Sequence, residues 1–285
     1  MKEQNNSKVK NPGGLTDAAG QRNETAEMTT SGDGAENADH CPYIKGSLDS
    51  CPYVKGILER GPYINFKKKQ EKAIKEKIAE YIASNLVKDF DAVLLDAGST
   101  AEAVAQQLFT KRKFLMVMTN NMGAYASYSQ SVVSRNDPQP VGGLINGNEL
   151  VLTGGRFDVT YEALLGDATI KAIEGFSPNV TIIAVSGLMF NGGVFCHGSE
   201  EVRLKKMLWE IRTDTRVIAC DWTKIGKRDA FAFGPRVSDL KIGASKAVIV
   251  TSKPPRAVDE KQRRQFDEQI SQIKKMGIDI VEIGD

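Results

Sequence analysis

The sequence predicts an α/β protein whose mostly parallel sheet carries helices on both faces. Two observations lead there. Seven short apolar, β-branched runs are spread over residues 92–284, and amphipathic, helix-like stretches separate them. Unbroken apolar strands alternating with helices belong to parallel sheets buried on both sides, because each crossover helix covers the strands it joins.

The elements can be placed in chain order. Ile74, Ile78, Ile82 and Leu86 recur every four residues among charges, which puts one apolar stripe on a helix ahead of the first strand. The Lys67–Lys69 run before it reads as a solvated helix start. The strand runs are "AVLLDAG" (92–98), "FLMVMTN" (114–120), "LVLTGG" (150–155), "VTIIAVSG" (180–187), "RVIACD" (216–221), "KAVIVT" (246–251) and "IDIVEIG" (278–284). Residues 100–109, 161–174, 199–212 and 258–275 read as the intervening helices. The Gly-, Pro- and Asn-rich stretch 135–149 reads as a surface loop.

Residues 67–285 therefore form the expected domain. Ahead of it, residues 1–40 have almost nothing to bury and are expected to be disordered. Residues 41–66 repeat: Pro42, Pro52 and Pro62 fall ten residues apart, each followed by a tyrosine. Three short units do not make a repeat fold, so this stretch is expected to be a strap or linker whose Tyr-aliphatic pairs dock on a surface groove.

Composition narrows the function. The net charge of +2 and a pI near 8.2 give no general support to nucleic-acid binding. Residues 1–66 hold seven Lys/Arg against nine Asp/Glu, so the tail is not a basic arm. No run of about 18 apolar residues is present, which excludes a helical membrane span. The opening residues have no apolar stretch of the secretory kind, and the four cysteines form no CxxC pair. A cytoplasmic protein is expected.

In open α/β sheets, ligands sit beyond the carboxyl ends of the strands. Here those ends carry Asp96-Ala97-Gly98-Ser99-Thr100, Thr119-Asn120, Gly154-Gly155-Arg156, Ser186-Gly187 and Asp221 followed by Thr223-Lys224. Gly98 lets the backbone approach a ligand, Ser99 and Thr100 offer hydroxyls, and a helix start favours an anion. Glu201 and Lys205 lie four apart on a helix. Small, hydrogen-bonding and cationic residues at successive strand ends suit a phosphorylated, hydroxyl-rich small molecule. The nucleotide-cradling GxxxxGK[ST] and GxGxxG patterns are absent, as is a GxSxG elbow. Cys196-His197 makes no metal site alone, so neither metal nor cofactor is expected.

From about Lys75 to Thr251 the chain resembles the C-terminal effector domain of DeoR-type sugar-metabolism repressors. "KEKIAEYIASNLV" leads into "LLDAGST", and "VMTNN", "LTGGRF", "ALLGDAT", "VSGLMFNGG", "EEVRLKK" and "VIACDWTKIGKRDAF" follow in the family's order. The resemblance implies a ribose-5-phosphate isomerase-like fold and binding of a phosphorylated sugar or related metabolite, with signalling through an oligomer or partner. Carried over position by position, it implies ligand contacts from Asp96, Gly98, Ser99, Thr100, Thr119, Asn120, Gly154, Gly155, Arg156, Glu201, Lys205, Asp221 and Lys224. The hydroxyls, glycine amides and Lys224 would suit phosphate; Asp96, Asn120 and Glu201 would suit sugar hydroxyls.

The chain departs from the family at its start, where residues 1–66 lack the pattern of a helix-turn-helix, so direct DNA reading is not expected. An enzyme on the same fold is the alternative, with Glu201 and Asp221 as acid and base and Lys205 or Lys224 steadying an enediolate. For the repeats, the alternative to docking is haem ligation by Cys41 and Cys51, each within a Cys-Pro-Tyr unit.

Overall fold

The computed structural model describes residues 63–133 and 146–284. The expected disordered tail, the Cys41/Cys51 haem alternative, most of the repeat strap and the 135–145 part of the expected loop lie outside these residues.

The chain begins with helices α1 (Tyr63–Lys69) and α2 (Lys72–Asn85) and strand β1 (Ala92–Leu95), followed by α3 (Ser99–Lys111), β2 (Met116–Thr119) and α4 (Met122–Val133). Strand β3 (Glu149–Leu152) and the hairpin strands β4 (Arg156–Asp158) and β5 (Ala163–Leu165) come next, then α5 (Asp167–Glu174) and β6 (Val180–Ala184). A small antiparallel sheet takes β7 (Gly187–Met189), β8 (Gly193–Cys196) and, later, β10 (Phe231–Gly234). Helix α6 (Val202–Glu210), β9 (Thr213–Ala219), β11 (Ala244–Ser252), α7 (Glu260–Lys275) and β12 (Asp279–Ile283) complete it.

Seven strands form one parallel sheet in the order β12-β11-β9-β6-β1-β2-β3. Alternate residues serve opposite faces. Val93, Leu95, Ile182, Val217 and Val250 join the core beneath α2 and α3, whereas Leu94, Ile183, Ile218 and Ile249 join the core beneath α6 and α7. This period-two division is why the runs read as unbroken apolar segments: neither face is left to water.

The helix expected over 161–174 proves to be two elements. Residues Ala163–Leu165 pair with Arg156–Asp158, and Gly166, at φ 105°, separates them from α5. A helix cannot continue through that left-handed geometry. On α2 the buried stripe is Lys75, Ile78, Ala79, Ile82 and Ala83; Ile78 and Ile82 lie on the expected line, Ile74 and Leu86 are partly buried at its ends, and the stripe widens to include a lysine. Among the described residues, no helix is long and apolar enough to cross a membrane.

The chain builds β1, β2 and β3 outward in one direction, then returns to the other side of β1 to lay down β6. Strand order therefore reverses between β1 and β6. Their carboxyl ends diverge there and open a crevice.

Candidate functional site

The crevice is lined by residues from six elements and their connections, among them Gly98, Ser99 and Thr100 after β1, Val185 and Ser186 after β6, and Glu201 and Lys205. Its floor is an ion pair. Asp96 Oδ2 accepts from Lys205 Nζ at 2.5 Å and from the Ala184 amide at 3.0 Å, and Oδ1 accepts from the Ala97 amide at 2.8 Å. Lys205 Nζ also donates to the Ala184 carbonyl at 2.9 Å. Asp96 thus joins β1, β6 and α6.

Glu201 stands one turn before Lys205, with Oε1 3.7 Å from Nζ and Oε2 accepting from the Gly198 amide at 3.0 Å. Burial works to lower Lys205, but the two carboxylates outweigh it and push the ammonium up to about 12. Burial raises the Glu201 carboxyl above its ordinary range, with Lys205 opposing and Asp96 adding. Burial, then Glu201, pushes the neighbouring Cys196 thiol up to about 12, so it stays protonated at neutral pH.

The other end of the crevice is cationic. Gly98, at φ 125°, turns the chain into α3, and no side chain caps that helix. Its first-turn amides have no partners within the helix and carry the positive end of its dipole. Lys67, Lys75 and Lys224 line the same crevice. Lys224 Nζ lies 3.0 and 3.1 Å from the two Asp221 oxygens and 2.6 Å from Thr223 Oγ1. Asp221 also accepts from the Thr223 amide at 3.0 Å and from the Thr223 hydroxyl. Burial opposes ionisation of Asp221, but Lys224, Thr223 and Lys75 hold it below the usual carboxylate range.

Lys75 and Lys67 were not singled out from the sequence. Lys75 is buried, and Nζ donates to the carbonyls of Lys67 and of Gln70, the latter at 2.6 Å. Burial, opposed by Asp221 but joined by Lys224 and Lys67, lowers it to about 8. Burial, then Lys224 and Lys227, lowers Lys67 to about 8 as well. A lysine in register with a buried apolar stripe was the signal available for Lys75. Lys67, expected to be solvated, gave none.

Ser186, named among the strand ends, lines the crevice, and so do two residues not singled out as ligand contacts: Tyr161, placed in an expected helix, and His197, read as loop. His197 Nδ1 lies 3.1 Å from Asp229 Oδ1. Burial opposes ionisation of Asp229, while Ser186, His197 and the Ala230 amide hold it below its ordinary value.

Of the residues implied by the resemblance, the structure brings Gly98, Ser99, Thr100, Glu201, Lys205, Asp221 and Lys224 together around one crevice, with Asp96 bonded to Lys205 behind them. The others are placed elsewhere. Thr119 Oγ1 donates to the Leu95 carbonyl at 2.7 Å and Asn120 Nδ2 to the Leu164 carbonyl at 3.1 Å. The Gly154 carbonyl accepts from Thr169 at 2.7 Å, and Gly155 packs against the same hydroxyl. Arg156 is exposed and pairs with Glu200 at 3.4 Å and Asp158 at 3.7 Å. These five fasten strands and turns together beside the crevice. Among the described residues, no group of three His, Cys, Asp or Glu is placed to hold a metal ion.

A family model described as the DeoR C-terminal sensor domain matches residues 70–241, more than half of the chain and all of the crevice except the α1 contribution. The chain belongs to the DeoR sensor-domain family. This DeoR domain is 24% identical over 184 residues to the glycerol-3-phosphate regulon repressor of Escherichia coli K12, covering 65% of this chain and 64% of that protein. It is 26% identical over 153 residues to the HTH-type transcriptional repressor GlcR of Bacillus subtilis, covering 53% and 52%. The match thus spans less than two thirds of the first repressor and about half of the second. Among solved structures, the chain is similar to ribose 5-phosphate isomerase A from Methanocaldococcus jannaschii at TM-score 0.35 and 13% identity, covering 56% of this chain and 58% of that one. A domain of a possible sugar-binding transcriptional regulator from Arthrobacter aurescens gives TM-score 0.33 and 14% identity, covering 75% and 84%.

Proposed function

We propose that this DeoR sensor domain binds a phosphorylated sugar or polyol in the β1/β6 crevice and acts as the effector-responsive part of a regulator of carbohydrate metabolism. One observation carries the reading: the uncapped amino end of α3, with Ser99 and Thr100, and the lysines Lys67, Lys75 and Lys224 line the same crevice. A phosphate group is the ligand part that uses backbone amides, hydroxyls and ammonium groups together. Glu201, His197, Ser186 and Tyr161, also lining it, carry polar groups suited to hydroxyls. The output passes through contacts between copies of the chain or through a partner.

The isomerase reading is weaker, because Asp221, one of its two acid–base candidates, is engaged by Thr223 and Lys224 and held below the usual carboxylate range, which makes it a poor base. Solvent deuterium appearing in a bound sugar phosphate would restore it.

Isothermal titration against glycerol 3-phosphate, ribose 5-phosphate, glucose 6-phosphate and their unphosphorylated counterparts tests the sensor reading. Glycerol 3-phosphate heads the panel because relatives are named for its regulon. The expected result is binding of at least one phosphorylated member, none of its unphosphorylated counterpart, and weakening by Lys224→Met. Equal binding of both forms, or binding of none, would overturn it.

A further inference from the structure

Asp229 does not line the crevice, yet it is bonded to a residue that does, His197. It belongs to the turn between Lys224 and β10, and that turn is firmly seated. The Gly226 amide donates to the Leu188 carbonyl at 2.7 Å, Ile225 bridges to Leu188, and a Cβ on Gly187 would come within 2.4 Å of the Lys227 carbonyl. Phe231 pairs with Cys196 across the β8–β10 ladder, so Asp229 arrives beside His197, the residue that continues β8. Oδ1 of Asp229 lies 3.1 Å from His197 Nδ1 and accepts from the Ala230 amide at 2.8 Å. Oδ2 is 3.8 Å from Lys227 Nζ, and only 12% of the side chain is exposed.

A carboxylate only accepts hydrogen bonds, so the His197 nitrogen that faces it is the one carrying the proton. While the ring is neutral, its other nitrogen has a lone pair and no proton to give. Ser186, also on the crevice, is polarised the same way. Its Oγ donates to the Phe195 carbonyl at 3.2 Å and also reaches the Asp229 carboxylate, so its proton stays within the protein and its lone pairs remain. Lys205, the cation lining the crevice beside Glu201, already donates to Asp96 and to the Ala184 carbonyl. Resting on the phosphate-binding reading above, we propose that Asp229 sets which ligands this crevice takes. By fixing His197 as an acceptor, together with Ser186, it selects phosphorylated polyols and other ligands that present alcohol groups there, over ligands that present a carbonyl or carboxylate. An alcohol donates to these lone pairs. A carbonyl oxygen meets them with lone pairs of its own and loses the hydrogen bonds it had in water. Asp229 acts through His197 and is a positioning residue.

Two ligand pairs read this selectivity by isothermal titration of the full chain: glycerol 3-phosphate against dihydroxyacetone phosphate, and ribitol 5-phosphate against ribulose 5-phosphate. Each pair differs only in whether one carbon carries a hydroxyl or a carbonyl. The expected result is that the polyol of at least one pair binds about ten-fold or more tightly than its ketone. Asp229→Asn, whose amide can donate to His197, should bring the two affinities together while binding still requires the phosphate. The tautomer is read without any ligand. The chain holds two histidines, His40 and His197, so His40→Gln assigns their signals. Nitrogen NMR at pH 8, where imidazoles are ordinarily neutral, should show His197 protonated on Nδ1 in the wild type and on Nε2 in Asp229→Asn. Equal affinity for polyol and ketone in the wild type, or tighter binding of the ketone, would overturn the selectivity and leave the binding reading standing. An unchanged preference in Asp229→Asn, or a wild-type His197 protonated on Nε2, would overturn the role of Asp229. Binding of no member of either pair would overturn the selectivity, and the sensor reading with it if the wider panel also fails.

Discussion

Lys205 Nζ stands 2.5 Å from Asp96 Oδ2, and both residues are buried, at 3% and 1% exposure. The pair ties the carboxyl end of β1 to α6 and closes the floor of the crevice. Removing one charge strands the other. Asp96→Asn is expected to lose about 3–5 kcal/mol of stability, measured by urea unfolding. Lys205→Met combined with Asp96→Asn is expected to lose less than the sum of the two single losses. If Asp96 instead served a ligand alone, Asn would leave the unfolding curve in place and change only binding.

Lys67 and Lys75, both lowered to about 8, predict how binding depends on pH. Below that value both are charged; above it they lose their protons and their attraction for an anion. A phosphate monoester is already largely dianionic at pH 7, so its own titration does not mask the trend. Affinity should fall from pH 7 to pH 9, by about ten-fold or more if one charge-assisted contact is lost. Titrations at the two values check this, and Lys67→Met should flatten the profile.

The same two lysines predict an opposite trend in the free protein's stability. Unfolded, they keep their protons up to the ordinary 10.5; folded, they release them near 8. Between those values the unfolded chain binds more protons, so their contribution to stability rises with pH. The buried thiols of Cys196 and Cys220, raised from 9.0 to about 12, act in the opposite sense above pH 9. The rise should therefore be sought between pH 8 and 9, in thermal unfolding without ligand.

Gly155 and Gly154 separate turn geometry from ligand contact. A Cβ on Gly155, at φ 115°, would come within 2.4 Å of Thr169 Oγ1 and 2.7 Å of the Leu165 carbonyl, whereas at Gly154, at φ 71°, it would meet open space. Gly155→Ala should cost about 2 kcal/mol or more. Gly154→Ala should cost only the left-handed penalty of about 1 kcal/mol. Denaturation midpoints give the order.

Arg156→Ala should leave ligand affinity unchanged in the titration that detects Lys224→Met, because its guanidinium is turned to Glu200 and Asp158 at the surface. Its effect on stability should stay within about 1 kcal/mol.

The sheet was legible because burial on both faces writes itself into the chain as unbroken apolar runs: each of the seven runs overlaps one strand of the large sheet. The small strands at 163–165, 187–189 and 193–196 were not legible. Three or four residues carry too little period to tell a strand from a turn or a helix start. The site was half legible. Gly98, Ser99, Thr100, Asp221 and Lys224 follow strand ends that converge at the reversal of strand order. Thr119, Asn120, Gly154, Gly155 and Arg156 also follow strand ends, but those ends lie on the β2–β3 side, and their polar atoms are used to fasten neighbouring loops.

The sequence by itself determined the layered α/β architecture, the family and the chemical character of the strand ends, since these depend on periodicity and on residue type along the chain. Only the tertiary structure decided who faces whom. It paired Asp96 with Lys205, and it brought Lys67 and Lys75, from outside the strand ends, to the crevice that Ser99 also lines. Those outcomes depend on how α1, α2 and α6 dock on the sheet, and such long-range packing leaves no period in the chain to be read.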